Sequence, residues 1–190
     1  IQCFADDQNA LSGTKHLISN APEADLAVVF AKKSGQIACF AVENPKTSAQ
    51  KVAGHSIGRL HLDQTPAQLL HTKGLGLAFG TLERFRPTVG MAAAGIARAA
   101  IGLCQQHLRQ RRQFGAPLGE QPVVRLRLAE LELETQAATQ CALHACWRRD
   151  TAGVGTRTGM DSAIGKVIAT EAASRVLDGA VQLFGGEGVI

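Results

Sequence analysis

The chain has 190 residues, a net charge of +4, seven Phe, one Trp and no Tyr. That length supports one sizeable core or two small ones. So few aromatics argue against a stacking platform for single-stranded nucleic acid, and no nucleic-acid partner is expected. No uninterrupted apolar run reaches the roughly 18 to 20 residues of a membrane span, so none is expected. The segment IQCFADDQNA has neither the basic region nor the apolar stretch of a signal peptide. The missing initial Met leads us to expect a fragment or a processed chain.

Cys3, Cys39, Cys104, Cys141 and Cys146 form no CxxC pair, and an odd count suits a reducing compartment. The His residues are isolated and no HExxH occurs, so no metal site is expected. Neither a P-loop nor a strand-linked GxGxxG is present.

In chain order, residues 1–73 read as a small β-domain. Residues 11–18 carry Ser12-Gly13 as a turn and then a short strand. Apolar runs at 26–30 and 37–42 flank Lys-Lys-Ser-Gly, a hairpin signal with Gly35 in the turn. Residues 59–64 alternate, with Leu60 and Leu62 on one face, until Thr65-Pro66 breaks the run.

Residues 74–190 read as helical. In the first helix Leu82, Phe85, Val89, Ala93, Ile96, Ala100, Leu103 and His107 recur at three- and four-residue steps. That face is expected to be buried in a bundle. The many Ala and Gly elsewhere on the helix would let neighbours approach closely. Pro87 predicts a kink, or a helix start between Glu83 and Arg86. A second helix is expected over 122–149, with Val124, Leu128, Leu131, Leu133 and Ala137 as its apolar stripe. A Gly- and Thr-rich loop follows. A third helix starts near Met160-Asp161-Ser162 and buries Ile164, Ile168, Ala172, Val176, Ala180 and Phe184. Gly185-Gly186 ends it as an αL cap would. The class is therefore α+β: a small antiparallel β-domain followed by an antiparallel helical bundle.

Four places could carry chemistry. Arg111 and Arg112 at a helix end either oppose the negative end of its dipole or offer forked donors to phosphate. Gln182 through Gly188 is a helix cap, or a place where a ligand meets bare backbone. Ser19 is a turn hydroxyl or a donor to a ligand. Glu83 reads as a carboxylate pairing with a helix amide end or a nearby Arg.

Three segments in this order, LSGTKHLISN, RRQFGAPLGEQ and AVQLFGGEG, resemble the acyl-CoA dehydrogenase family of flavoproteins. The resemblance runs from about Ala10 to the end. It implies an FAD site shared across a subunit interface, hence a homo-oligomer (dimer or tetramer). In that likeness Arg111, Gln113 and Phe114 contact FAD. Gln182, Gly185 and Gly186 meet its nucleotide part, Ser19 donates towards the flavin N5 edge, and Arg86 lies near the substrate. Two departures stand out. Leu17 replaces a common Trp, and Pro122 stands where the family often has Gln, with Gln121 one place early.

The implied activity is α,β-desaturation of an acyl-CoA thioester, with electrons passed to an electron-transfer flavoprotein. The catalytic base of most members falls beyond Ile190, and the 190 residues alone are expected to be inactive. Bacterial cytoplasm or the mitochondrial matrix would suit such a chain. Two alternatives remain open: an acyl-CoA oxidase or flavin monooxygenase of the same fold, and a non-catalytic helical oligomerisation module.

Overall fold

The computed structural model describes residues 2–52 and 55–189. The chain divides into two compact units, Ile1–Phe79 and Gly80–Ile190. It is α+β: a sheet unit, then three long helices.

The first unit is one seven-stranded sheet. Its strands are β1 (Phe4–Ala5), β2 (Ala10–Ser19), β3 (Leu26–Lys33), β4 (Gln36–Glu43), β5 (Lys46–Val52), β6 (His55–Pro66) and β7 (Gln68–His71). They lie in the order β5-β6-β2-β1-β3-β4-β7. Every pairing is antiparallel except β1 with β3, where Phe4 faces Lys32. The β3–β4 hairpin turns at Ser34 and Gly35, with φ of 48° and 80°. Positive φ at both centres is the primed turn that matches strand twist. Alternation buries Val29 and Ala31 on β3, Phe40 and Val42 on β4, and Leu60 and Leu62 on β6.

Two expectations for this unit need correcting, and one strand was not expected. Ser12-Gly13 is a bulge inside β2, not a turn. A Cβ on Gly13 would lie 2.7 Å from the Gln2 carbonyl oxygen and 2.8 Å from Cys3 Sγ, so glycine is required there. Thr65-Pro66 does not end the last run, because Thr65 and Pro66 pair with Leu11 and Ala10. Strand β5 was not expected, because its sequence KTSAQKV is mostly polar, with only Ala49 and Val52 apolar. It sits at the sheet edge, where polar strands are favoured.

The second unit packs α1 (Gly74–Gln110, which starts inside the first unit), α2 (Pro122–Thr151) and α3 (Gly159–Phe184). On α1 the buried positions are Pro87, Gly90, Ala94, Ala97, Ile101, Cys104 and Leu108. The α2 series is Leu131, Thr135, Ala138, Ala142 and Ala145. The α3 series is Thr158, Ser162, Gly165, Ala169, Ala172, Val176 and Gly179. Each series steps alternately by three and four residues, the repeat of a coiled-coil seam. Most of these residues are small, so the helices meet closely. A Cβ on Gly165 would lie 2.9 Å from Ala145 Cβ and 3.1 Å from the Cys141 carbonyl oxygen. One on Gly179 would lie 2.8 Å from a Leu131 methyl. These contacts run α2 antiparallel to α3. Gly90 against Gly165, and the Cys104 thiol donating to the Ala180 carbonyl, set α1 parallel to α3.

The large residues of the stripe expected to be buried on α1 lie outside, while its Ala93, Ala100 and His107 are partly buried. Leu82, Phe85, Val89, Ile96 and Leu103 are exposed, and a seam of smaller residues faces the bundle. The same correction applies to Leu133 and Ala137 on α2 and to Ile164 and Ile168 on α3. Ala172, Val176 and Ala180 are buried as expected. Large apolar residues gave the strongest periodic signal, but close packing of three helices selects the small ones. By length and composition alone α1 could cross a membrane. The structure uses its inner seam for bundle packing.

Pro87 does not start the helix; α1 runs through it from Gly74. Pro87 cannot donate to the Glu83 carbonyl one turn back. The Ser162 hydroxyl on α3 donates to that carbonyl instead, at 2.8 Å.

Candidate functional site

Ser19 lines a cleft in the sheet unit, and Arg111, Gln113, Gln182, Gly185 and Gly186 line one in the helical unit. In the sheet unit, β1 is too short to bridge β2 and β3 along their length. The strands part beyond it, leaving a cleft of about 410 Å³ lined by Lys15, Ile18, Ser19, Val28, Phe30 and Thr47, among others. Lys15 Nζ spans the gap and donates to the Phe30 carbonyl at 2.8 Å. Ser19 is exposed on the wall of this mostly apolar cleft. Leu17, at φ 55°, forms part of the bulge that turns β2 here, and it points into open surroundings. Its amide donates to Gln50 Oε1 at 3.4 Å.

In the helical unit, α1 ends at Gln110, and the Arg111 amide still donates to the His107 carbonyl at 2.8 Å. A small hairpin follows, β8 (Arg112–Gln113) paired with β9 (Ala116–Pro117). Its two-residue loop is Phe114-Gly115, both at positive φ (54° and 82°). The Arg111 carbonyl accepts from the Leu118 amide at 2.8 Å. The backbone at Arg111 is thus held on both sides.

Gly185 ends α3 at φ 61°, ψ −134°. That is a glycine conformation, but not the expected αL cap. A 3-10 turn, Gly185–Val189, continues from it. Together these elements form a cleft of about 480 Å³, lined by His107, Arg111, Gln113, Gln182, Gly185, Gly186 and Glu187 among others. A Cβ on Gly185 or Gly186 would meet nothing within 4 Å, so the backbone there is open to a ligand.

The structure thus brings two motifs, distant in sequence, to one cleft. Phe114 does not line it. It stands at the hairpin tip, 88 % exposed. Gln121 does not line it either. Gln121 is the N-cap of α2, and its carbonyl accepts from the Val124 and Arg125 amides. Arg86 is half-buried on α1, makes no hydrogen bond or ion pair among the described residues, and lines neither cleft.

Sequence reasoning missed two lining residues, His107 and Glu187. His107 Nδ1 lies 3.6 Å from one Glu187 carboxylate oxygen, and Arg111 Nη1 lies 3.9 Å from the other. The His107 ring also packs on Phe184, centroids 4.7 Å apart. The available signal was spacing: His107 stands one helical turn before Arg111 and shares its face. Glu83 meets the amide end of α3: the Thr158 amide and hydroxyl both donate to it at 3.4 Å, and Arg149 stands 3.9 Å away. Among the described residues, no group of three or more His, Cys, Asp or Glu could hold a metal ion.

At the end of the bundle, forked and amide donors stand beside bare glycine backbone, an arrangement with the chemistry to accept an anionic ligand. Residues 72–190 match the family model described as "Acyl-CoA dehydrogenase, C-terminal domain". The chain belongs to the acyl-CoA dehydrogenase family. It is 31 % identical over 201 aligned residues to the short-chain specific acyl-CoA dehydrogenase of Megasphaera elsdenii, covering 96 % of this chain and 52 % of that protein. It superposes on a glutaryl-coenzyme A dehydrogenase in complex with glutaryl-CoA at a TM-score of 0.89 and 27 % identity, covering 100 % of this chain and 53 % of that one. An acyl-CoA dehydrogenase complexed with FAD from Bacillus anthracis gives a TM-score of 0.84 at 25 % identity, covering 100 % and 38 % respectively. The chain thus spans about half the length of the curated relatives it matches.

Proposed function

We propose that this chain is part of an FAD-dependent acyl-CoA dehydrogenase, and that the bundle cleft holds the pyrophosphate of FAD. The observation carrying this reading is the convergence of Arg111 and Gln113 with Gln182, Gly185 and Gly186 in one cleft. The residues fit such a group. Arg111 offers forked charged donors, the glutamines offer amides, and the two glycines leave their backbone open to close approach. FAD, when bound, supplies the two-electron acceptor for oxidation of a thioester to its 2,3-enoyl form. Arg111 binds and orients the phosphates of one FAD; Ser19, on the wall of the sheet cleft, offers a hydroxyl to the flavin ring of another, each FAD being shared across the subunit interface. Phe114 and Arg86 act through contacts outside this cleft, with the substrate end assigned to Arg86.

The whole protein would act on acyl-CoA and pass electrons to an electron-transfer flavoprotein, as a homo-oligomer in the bacterial cytoplasm or mitochondrial matrix. Since the chain spans about half of its relatives, the 190 residues alone are expected not to turn over.

The test is a visible absorption spectrum of the full-length protein, repeated after adding acyl-CoAs without oxygen. A flavin band that one of them bleaches supports the reading. No flavin, even after FAD is added, removes it. Arg111→Gln should weaken FAD binding about tenfold or more, measured by flavin fluorescence titration.

A further inference from the structure

The cleft contains its own carboxylate. Glu187 lies between the His107 ring and the Arg111 guanidinium that line it, 3.6 Å from His107 Nδ1 and 3.9 Å from Arg111 Nη1. Its position is set by the fold. A Cβ on Gly188 would collide with the Val181 carbonyl, so the turn after α3 packs back on the helix with no slack. His107 in turn is pinned against Phe184. At 3.9 Å the carboxylate makes no hydrogen bond to Arg111, but it attracts the guanidinium that a phosphate would otherwise have to itself. It also repels a second anion entering the cleft.

Resting on the dinucleotide reading above, we infer that Glu187 is a built-in competitor for phosphate, and that it sets how tightly the cleft holds a pyrophosphate ligand. Binding exchanges the Glu187 contact on Arg111 for a phosphate contact, and Glu187 turns outward. Both Arg111 and Glu187 are about half exposed, so the effect is moderate and screened by salt.

The test titrates ADP and inorganic pyrophosphate into the full-length, flavin-free protein by calorimetry. Glu187→Gln keeps the side chain's shape and removes its charge. It should bind both probes about three- to tenfold tighter at low salt, with the gain shrinking as salt rises. Glu187→Asp keeps the charge and should stay near the native value. Unchanged or weaker binding by Glu187→Gln, while the native protein binds, would overturn the inference and leave the dinucleotide reading standing. Equal tightening by Glu187→Asp would overturn it too, since charge would not be the cause. Failure of native protein and variants alike to bind either probe would remove the inference and the dinucleotide reading together.

Discussion

Ser162 and Pro87 show how one residue can license another. Proline leaves the Glu83 carbonyl without its helical partner, and a fully buried serine on another helix supplies the bond. Ser162→Ala should therefore destabilise the bundle by about 1–2 kcal/mol, read from urea unfolding. Pro87→Ala restores a backbone donor to the same carbonyl. In that background the cost of Ser162→Ala should fall, a coupling that a double-mutant cycle would measure. The buried thiols behave differently. Burial raises Cys39 and Cys104 above the usual thiol value of 9.0. A raised folded pKa means the neutral thiol is favoured by folding, so this stability is complete below pH 9 and is lost as pH rises above it. Both thiols should resist iodoacetamide at pH 8 in the native state and react once urea unfolds the chain.

At the scale of elements, the three helices are matched through small residues. Gly165→Ala would push a methyl to 2.9 Å from Ala145 Cβ, and should cost about 1–3 kcal/mol by overpacking. Gly95 lies on α1, where a Cβ would meet nothing within 4 Å. There Gly95→Ala should raise stability by up to about 1 kcal/mol through helix propensity alone. Paired thermal melts of the two variants check both signs. The sequence was legible here in part. Helix limits and the β3–β4 hairpin could be read because proline, glycine and apolar period act locally. Which helix face turns inward could not be read, because two apolar series on α1 share the same repeat, displaced by a few positions. Helix spacing decides between them, and a single sequence carries no record of it.

The helical unit exposes several large apolar side chains. Phe85 is 62 % exposed, Ile96 56 % and Leu133 70 %. Such a surface fits the homo-oligomer proposed above. Light scattering should report an oligomer for the full-length protein. Ile96→Glu, placing a charge on that surface, should shift it towards smaller species without unfolding the bundle.

Of the proposed site, the sequence determined the chemistry: forked donors at Arg111, amides at Gln113 and Gln182, and bare backbone at Gly185 and Gly186. It also marked the start of α2 at Pro122 and the end of α3 before Gly185, since proline and glycine effects reach only a few residues. Tertiary structure alone decided that the two motifs share one cleft while Phe114 stays outside, and that Glu187 lies between His107 and Arg111. It also decided that small side chains, not large ones, form the bundle seam. Each of these depends on how far apart two helix axes settle. That distance is set by all the contacts along both helices at once, so no local stretch of residues encodes it.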